Sequence, residues 1–469
     1  MWTIFIDGRI IPNIGGVCMN RNKVDMINGP LLKNVILFAL PLMFSNVLQL
    51  LFNAADIVVV GRFAGEQALA AVGATSSICF LLVTVFNGLS IGANVVIARN
   101  FGANNDQKIH DSVHTAMMLS VIGGFFLLVI GQLFSKPLLH LMDTPEDIIE
   151  LSALYLRIYF AGMPGFMIYN FGSSILRAKG DTKRPMIFLT VSGILNVVLN
   201  LIFVIYFHMS VAGVALATMI SQLNSAILVW NVLIHEQGAL KLHPKELKIE
   251  KETAVDILKI GLPAGVQGMV FSLSNVVVQS SVNTFGSIVV AGNSAANNIE
   301  GFVYNIMNAF YQACMTFTGQ NIGAKRYDRI NKILITCMIL IIIAGITAGL
   351  SAHVFSDFFL GLYTEDPSVI AAGKIRLSFV ALFYVFNGTL DIFVGSLRGM
   401  GKAIVPTLLS IFGICGVRLL WIWTVFPIQK TLSSIYVAFP LSWSITTVLQ
   451  MVYWFVQRRK LDQSIQAQG

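Results

Sequence analysis

The chain has 469 residues, 56% of them hydrophobic and only 12% charged, with a formal net charge of +8 and a mean hydropathy of +0.76. Soluble domains carry roughly 45–50% apolar and 25% charged residues, so a water-soluble globular protein is excluded and the apolar surplus has to face a lipid bilayer. The basic residues sit in small groups between apolar runs, as membrane-flanking Lys and Arg do, and imply no nucleic-acid partner.

The first 25 residues are polar and weakly patterned, with no long apolar core ahead of a small-residue cleavage site. No secretory signal is expected, and Met26 is a candidate start. Apolar runs of spanning length, about 20 residues, follow at roughly 34–61, 69–98, 111–135, 151–177, 186–207, 210–234, 254–284, 288–319, 330–360, 373–397, 404–427 and 432–456. They predict an all-α polytopic membrane protein with twelve transmembrane helices. One long hydrophilic stretch, His235 to Glu252, parts six runs from six. The expected organisation is a cytoplasmic extension over 1–28, a six-helix bundle over 29–234, a linker over 235–253, a second six-helix bundle over 254–457 and a tail over 458–469. Cys18, Cys79, Cys314, Cys337 and Cys415 lack CxxC spacing and read as small hydrophobic residues.

Charges in the short loops assign orientation. Fifteen Lys and Arg fall on one side, among them Arg99, Arg177, Arg184, Arg326 and Arg398, against Arg62, Lys136, Lys374, Arg376 and Lys430 on the other. The positive-inside rule then puts both termini and the linker in the cytoplasm, in a multi-pass protein of the cell (inner) membrane.

The two halves repeat one another. Arg177, Gly180 and Pro185 recur as Arg398, Gly401 and Pro406, each 221 residues later. Arg99-Asn100-Phe101-Gly102-Ala103 meets Gln320-Asn321-Ile322-Gly323-Ala324 at the same offset, as Gly65 meets Gly286, while Pro41 and Pro263 differ by 222. Internal duplication points to transporter architecture. An even number of helices per repeat keeps both bundles in one orientation, so they are expected to be pseudo-symmetric about the membrane normal, with a substrate path between them.

Charges at mid-membrane cost about 2.5–3.5 kcal/mol on insertion scales, which makes them functional candidates. On the first helix Asn46, Gln49, Asn53 and Asp56 follow 3-4-3 spacing and share a face. Asp56, the only carboxylate of that run, is either a proton or sodium acceptor or an Asp held by hydrogen bonds. Asn196 and Asn200, an i, i+4 pair, together with Thr218 offer oxygens to an ion or hydrogen bonds between helices. In the second half Gln267, Asn275, Gln279 and Asn283 step along the seventh helix, Glu300, Tyr304 and Asn308 share a face of the eighth, and Asp391 lies in the tenth. These can line a cavity for an organic cation, with Phe271 and Tyr304 offering aromatic faces and Glu300 or Asp391 the counter-charge; interhelical packing is the competing reading. Arg157 and Arg418 also fall within apolar runs, where snorkelling or an ion pair is expected.

Enzyme signatures are missing. Gly399-Met400-Gly401-Lys402-Ala403 fails as a phosphate loop, because Ser396 stands for its first glycine and Ala403 for its final hydroxyl residue. His110 and His114 have the spacing of a metal pair without an HExxH motif or a nearby third ligand, so no metal is expected. GxGxxG does not occur, and the one GxSxG match, Gly88-Leu89-Ser90-Ile91-Gly92, falls inside an apolar spanning run where no strand-to-helix elbow is expected. The expectation is a transporter without a cofactor, its only auxiliary a coupling ion.

The six-plus-six helices, Pro41 with Asp56 in the first helix, and the loops Leu176-Arg177-x-x-Gly180-Asp181-Thr182 and Leu397-Arg398-Gly399-Met400-Gly401 resemble the multidrug and toxic compound extrusion (MATE) family from about Gly29 to Lys460. Gly261-Leu262-Pro263-Ala264-Gly265 and Ala296-Asn297-Asn298-Ile299-Glu300-Gly301 are similar to bacterial members. The resemblance implies a secondary active antiporter that exports amphipathic organic cations in exchange for protons or sodium by alternating access. It matches Asp56 to the family's first-helix Asp, Asn196 and Asn200 to its fifth-helix polar pair and, more loosely, Thr218. One branch carries a Glu in helix seven and an Asp in helix ten, where Phe271 and Asn387 stand here, so coupling is expected in the N-terminal half. The alternative is a flippase for lipid-linked oligosaccharides of the same superfamily, which would be expected to show a basic central cavity and often extra helices; neither is apparent from the sequence. A monomer would suffice.

Overall fold

The computed structural model describes residues 24–467; Cys18 and most of the 1–28 extension lie outside the described residues. Twelve helical spans follow in order: α1 (Leu31–Ala64), α2 (Glu66–Gly102), α3 (Asp106–Leu141), α4 (Glu146–Ala161 and Met163–Ala178, bent by 43°), α5 (Lys183–Tyr206), α6 (Ser210–His235), α7 (Lys251–Asn283), α8 (Ser287–Gly323), α9 (Tyr327–Val354), α10 (Pro367–Phe379 and Tyr384–Gly399, bent by 45°), α11 (Ile404–Thr424) and α12 (Leu432–Gln466). Counting each bent pair as one span, eleven are long and apolar enough to cross a bilayer. The twelfth, α8, is as long as α2 at 37 residues, but carries Asn293, Asn297, Asn298, Glu300, Asn305 and Asn308. Such residues are tolerated in a span that faces protein or a water-filled cavity.

The duplication is visible in the backbone. The bent spans are the fourth of each half, and Pro164 sits in the first turn after the α4 break, where its missing N–H costs nothing. Gly65 and Gly286 precede α2 and α8 at φ of 89° and 91°, a left-handed conformation that glycine takes without strain.

The halves meet chiefly through α2 against α7 and through α2 and α1 against α8. A Cβ on Gly92 would overlap the carbonyl oxygen of Ile257 and lie 2.8 Å from the Gly261 nitrogen; one on Gly88 would overlap the Gly265 nitrogen. Closer to the chain termini, a Cβ on Gly102 would overlap the Gln320 carbonyl and one on Gly323 the Arg99 carbonyl. These two contacts are equivalents under the 221-residue offset, so the junction itself obeys the repeat. The segment from Val24 to Gly29 crosses the same end. The Val24 N–H donates to the Gly180 carbonyl at 3.4 Å, while Asn321 Nδ2 donates to the Met26 carbonyl at 3.0 Å and Arg329 Nη2 to that of Gly29 at 2.7 Å.

Between α6 and α7 the chain makes short 3-10 turns at Gly238–Leu240 and Pro244–Glu246 and buries Leu240 and Leu242. Here one expectation is corrected. The His110 and His114 pair does gain a third neighbour, Glu246, whose Oε2 lies 3.0 Å from His110 Nε2. Both nitrogens of His114 are nevertheless committed. The His243 N–H donates to Nε2 at 3.0 Å, which leaves the ring proton on Nδ1 to donate to the His110 carbonyl at 2.8 Å. The cluster therefore docks the connecting segment onto α3. Residues 458–466, expected as a tail, continue α12 as helix.

Candidate functional site: a carboxylate cluster and a central cavity

The four N-terminal candidates come together inside the first half. Asn200 Nδ2 donates to Asp56 Oδ1 and also lies 3.4 Å from Asn196 Oδ1, and Asn196 Nδ2 reaches Thr218 Oγ1 at 3.4 Å. Asn196 and Asn200 are buried and Asp56 is half-buried. Asn200 Oδ1 is buried with no hydrogen-bond partner, so an acceptor is left open beside a carboxylate. The donor set is one carboxylate, two amide oxygens and a hydroxyl, all hard oxygen ligands of the kind sodium takes, while the carboxylate alone can hold a proton. The helices that carry the pair loosen just beyond it. Val60–Ala64 of α1 is π-helical from four residues after Asp56, and Ile202–Tyr206 of α5 from two residues after Asn200; such turns in α-helices recur at functional sites.

A cavity of about 810 Å³ lies between the halves, lined from α1, α2, α4, α7, α8, α10, α11 and α12. Gln49, Phe271, Asn275, Gln279, Glu300, Tyr304 and Asp391 line it; Asn53 does not, and is exposed. The polar face of α1 thus divides. Asn46 and Gln49 look into the cavity, with Asn46 Nδ2 donating to the Asn305 carbonyl of α8 at 3.0 Å, while Asp56 turns to α5.

Four arginines also line the cavity: Arg177, Arg376, Arg398 and Arg418. Arg376 clasps Glu300 with two parallel bonds, Nε to Oε1 at 2.9 Å and Nη2 to Oε2 at 2.7 Å, so Glu300 is not a free counter-charge. The reading of Arg177, Arg376 and Arg398 as membrane-flanking charges is corrected, because α4 and α10 carry them into the cavity wall. Removing them takes the loop tally from fifteen against five to thirteen against four, and the bias persists. Arg418 does not snorkel; it is buried over the Phe439 ring at 4.1 Å and donates to Ser442 and Asn275. With Glu300 and Asp391 opposing four arginines, the cavity has a formal excess of two positive charges, against the expectation that no basic cavity exists. The duplication carried the missed signal, since Arg177 and Arg398 are repeat equivalents.

The sequence profile of the MatE family matches the chain twice, over residues 41–202 and 263–424. The chain belongs to the MatE family. Both ends of the second match lie 222 residues after those of the first, the spacing of Pro41 and Pro263 and one residue more than that of the loops. This MatE protein is similar to the probable multidrug resistance protein YoeA of Bacillus subtilis (strain 168), at 29% identity over 444 residues, 91% of this chain and 94% of that one. It is also similar to the probable multidrug resistance protein YpnP of the same organism, at 30% over 396 residues, 82% and 86% of the two chains. Among solved structures, an outward-facing multidrug resistance MATE family transporter of the MOP superfamily superposes with a TM-score of 0.88 at 21% identity, covering 94% of this chain and 99% of that one, a likeness of fold. This MatE chain is therefore a polytopic membrane transporter of the multidrug efflux family and not an enzyme.

Proposed function

We propose that the protein is a secondary active antiporter that exports amphipathic organic molecules in exchange for protons or sodium, with Asp56 as the coupling carboxylate. The observation that carries this reading is the convergence of Asp56, Asn200, Asn196 and Thr218 around an open acceptor. One helix links ion and cargo, because α1 holds Asp56 in that cluster and Gln49 in the cavity, and touches α8 of the other half through Asn46. Ion binding at Asp56 changes the charge on α1 and shifts the equilibrium between open states by its differential affinity for them. Pro41, which lacks the N–H that would close its turn, gives α1 a place to bend.

The junction of glycines and the Val24 to Gly29 segment lie at the end that the positive-inside bias assigns to the cytoplasm, so this conformation is closed inward. Every wall of the cavity comes from one chain, and a monomer suffices. A cationic cargo would find Asp391 as its counter-charge, Glu300 being taken. One observation favours the second reading, a flippase for lipid-linked oligosaccharides: the basic cavity. The test is dye efflux from proteoliposomes, wild type against Asp56→Asn, under a proton gradient alone and a sodium gradient alone. One gradient drives export by the wild type and none by the variant. Efflux indifferent to both gradients refutes coupling.

A further inference from the structure

We propose that Arg177, Arg398 and Arg418 bind an anionic group on the cargo, so that the transported molecule is an amphipathic organic anion or zwitterion carrying a carboxylate or phosphate. The proposal rests on the transporter reading above and names its substrate class.

Arg376 shows what a neutralised arginine looks like in this cavity, with a carboxylate held by two parallel bonds. The other three have only neutral partners among the described residues. Arg177 Nη1 donates to Gln312 Oε1 at 3.0 Å. Arg398 donates to the Tyr311 hydroxyl at 2.6 Å, Gln267 Oε1 at 2.8 Å and Thr407 Oγ1 at 3.3 Å. Arg418 donates to Ser442 Oγ at 3.1 Å and Asn275 Oδ1 at 3.2 Å. Arg398 and Arg418 are only 4% and 5% exposed, and the Nε atoms of Arg177 and Arg398 are buried without any acceptor.

A desolvated cation without a counter-charge is costly, and proteins retain one where something pairs with it. Guanidinium is the group that matches carboxylate and phosphate by two parallel bonds. Arg177 and Arg398 are repeat equivalents, which sets one basic group from each half in a cavity that both halves share. The aromatic rings of Phe439 and Trp443, 4.1 and 5.5 Å from the Arg418 guanidinium, supply the apolar surface that an amphipath needs. Asp391, two turns before Arg398 on the same face of α10, remains to meet an ammonium, which is why a zwitterion belongs to the class.

The test is equilibrium binding to the purified full chain with no ion gradient, so failure of the coupling reading leaves it untouched. Fluorescein and rhodamine 6G share a xanthene scaffold and differ in charge. Fluorescein is expected to bind at least about tenfold tighter, with Arg418→Gln and Arg177→Gln each weakening it about tenfold and Arg418→Lys, which keeps the charge but not the two-bond fork, recovering only part of the loss. Rhodamine binding as tightly or tighter, or neither dye binding, overturns the proposal, as do Gln variants that are folded by circular dichroism and bind fluorescein unchanged. Competition by farnesyl phosphate distinguishes the sources: displacement of fluorescein assigns the anion to a lipid-linked phosphate, and displacement only by naphthylacetate assigns it to a soluble carboxylate.

Discussion

Replacing Gly92 by Ala should open the glycine junction between the halves. A Cβ at this position would overlap the Ile257 carbonyl oxygen and lie 2.8 Å from the Gly261 nitrogen and 3.0 Å from its Cα, all backbone atoms of α7 that no rotamer change can move aside. Overpacking of a well-packed contact costs about 1–3 kcal/mol. The intrinsic helix preference for Ala over Gly, about 1 kcal/mol, cancels from the equilibrium between two conformations that differ by rigid movement of the halves, with α2 kept helical. The net penalty falls on the state in which this junction is closed and shifts its ratio to the opened state by about 5- to 150-fold. Spin labels at Gln107 and Lys332, exposed positions in the first turns of α3 and α9, placed in a cysteine-free background, report the separation of the halves by double electron–electron resonance. A second, longer distance should grow in with Gly92→Ala. An unchanged distribution in folded protein refutes the reasoning that this backbone contact sets the closed state.

Three further outcomes are expected. Glu236, just past α6, contacts Lys179 and Arg184; burial alone would raise its carboxyl, but the two cations outweigh burial and hold it below its ordinary 4.5. Its contribution to stability is therefore present above about pH 4.5 and lost as the pH falls through the lower folded value. Glu236→Gln should cost about 3 kcal/mol near neutrality and flatten that acid limb in melting curves taken from pH 3 to pH 7; an unchanged acid limb would assign it to other groups. Glu300→Gln should destabilise by about 3 kcal/mol, with most of the loss recovered by adding Arg376→Met, read by thermal unfolding in detergent; a double variant worse than the single would show that the pair holds the fold by more than charge. Pro41→Ala should slow dye export while leaving dye binding intact, and equal export rates would remove the bending role from α1.

How far the sequence carried depends on which physical signal was involved. Spanning runs, the 221-residue offset and the Asp56 face were legible because lipid enforces apolar length and duplication copies its glycines. That Asp56 and Asn200 belong to one site was implied by the family resemblance; the residues alone gave two separate polar faces that lipid forbids outside. The arginines of the cavity were not legible, since Arg177 and Arg398 lie within two residues of a helix end, where a charge that flanks the membrane and one that lines a cavity look alike in sequence. Glu300 stays open in sequence between a counter-charge and interhelical packing because its partner Arg376 lies 76 residues away on another helix. Asn53 shows the converse error, a residue with the right spacing that is nevertheless exposed, because α1 contacts α8 with one part of its polar face and α5 with another.

Coupling is tested most directly in reverse. Proteoliposomes with no ion gradient are loaded with a pH-sensitive or a sodium-sensitive reporter, and a transported dye is added outside. Linkage requires that an inward dye gradient drive the coupling ion outward. The account predicts an ion signal that appears only when dye is added and disappears with Asp56→Asn. Dye entry through the wild type with neither reporter responding would contradict it.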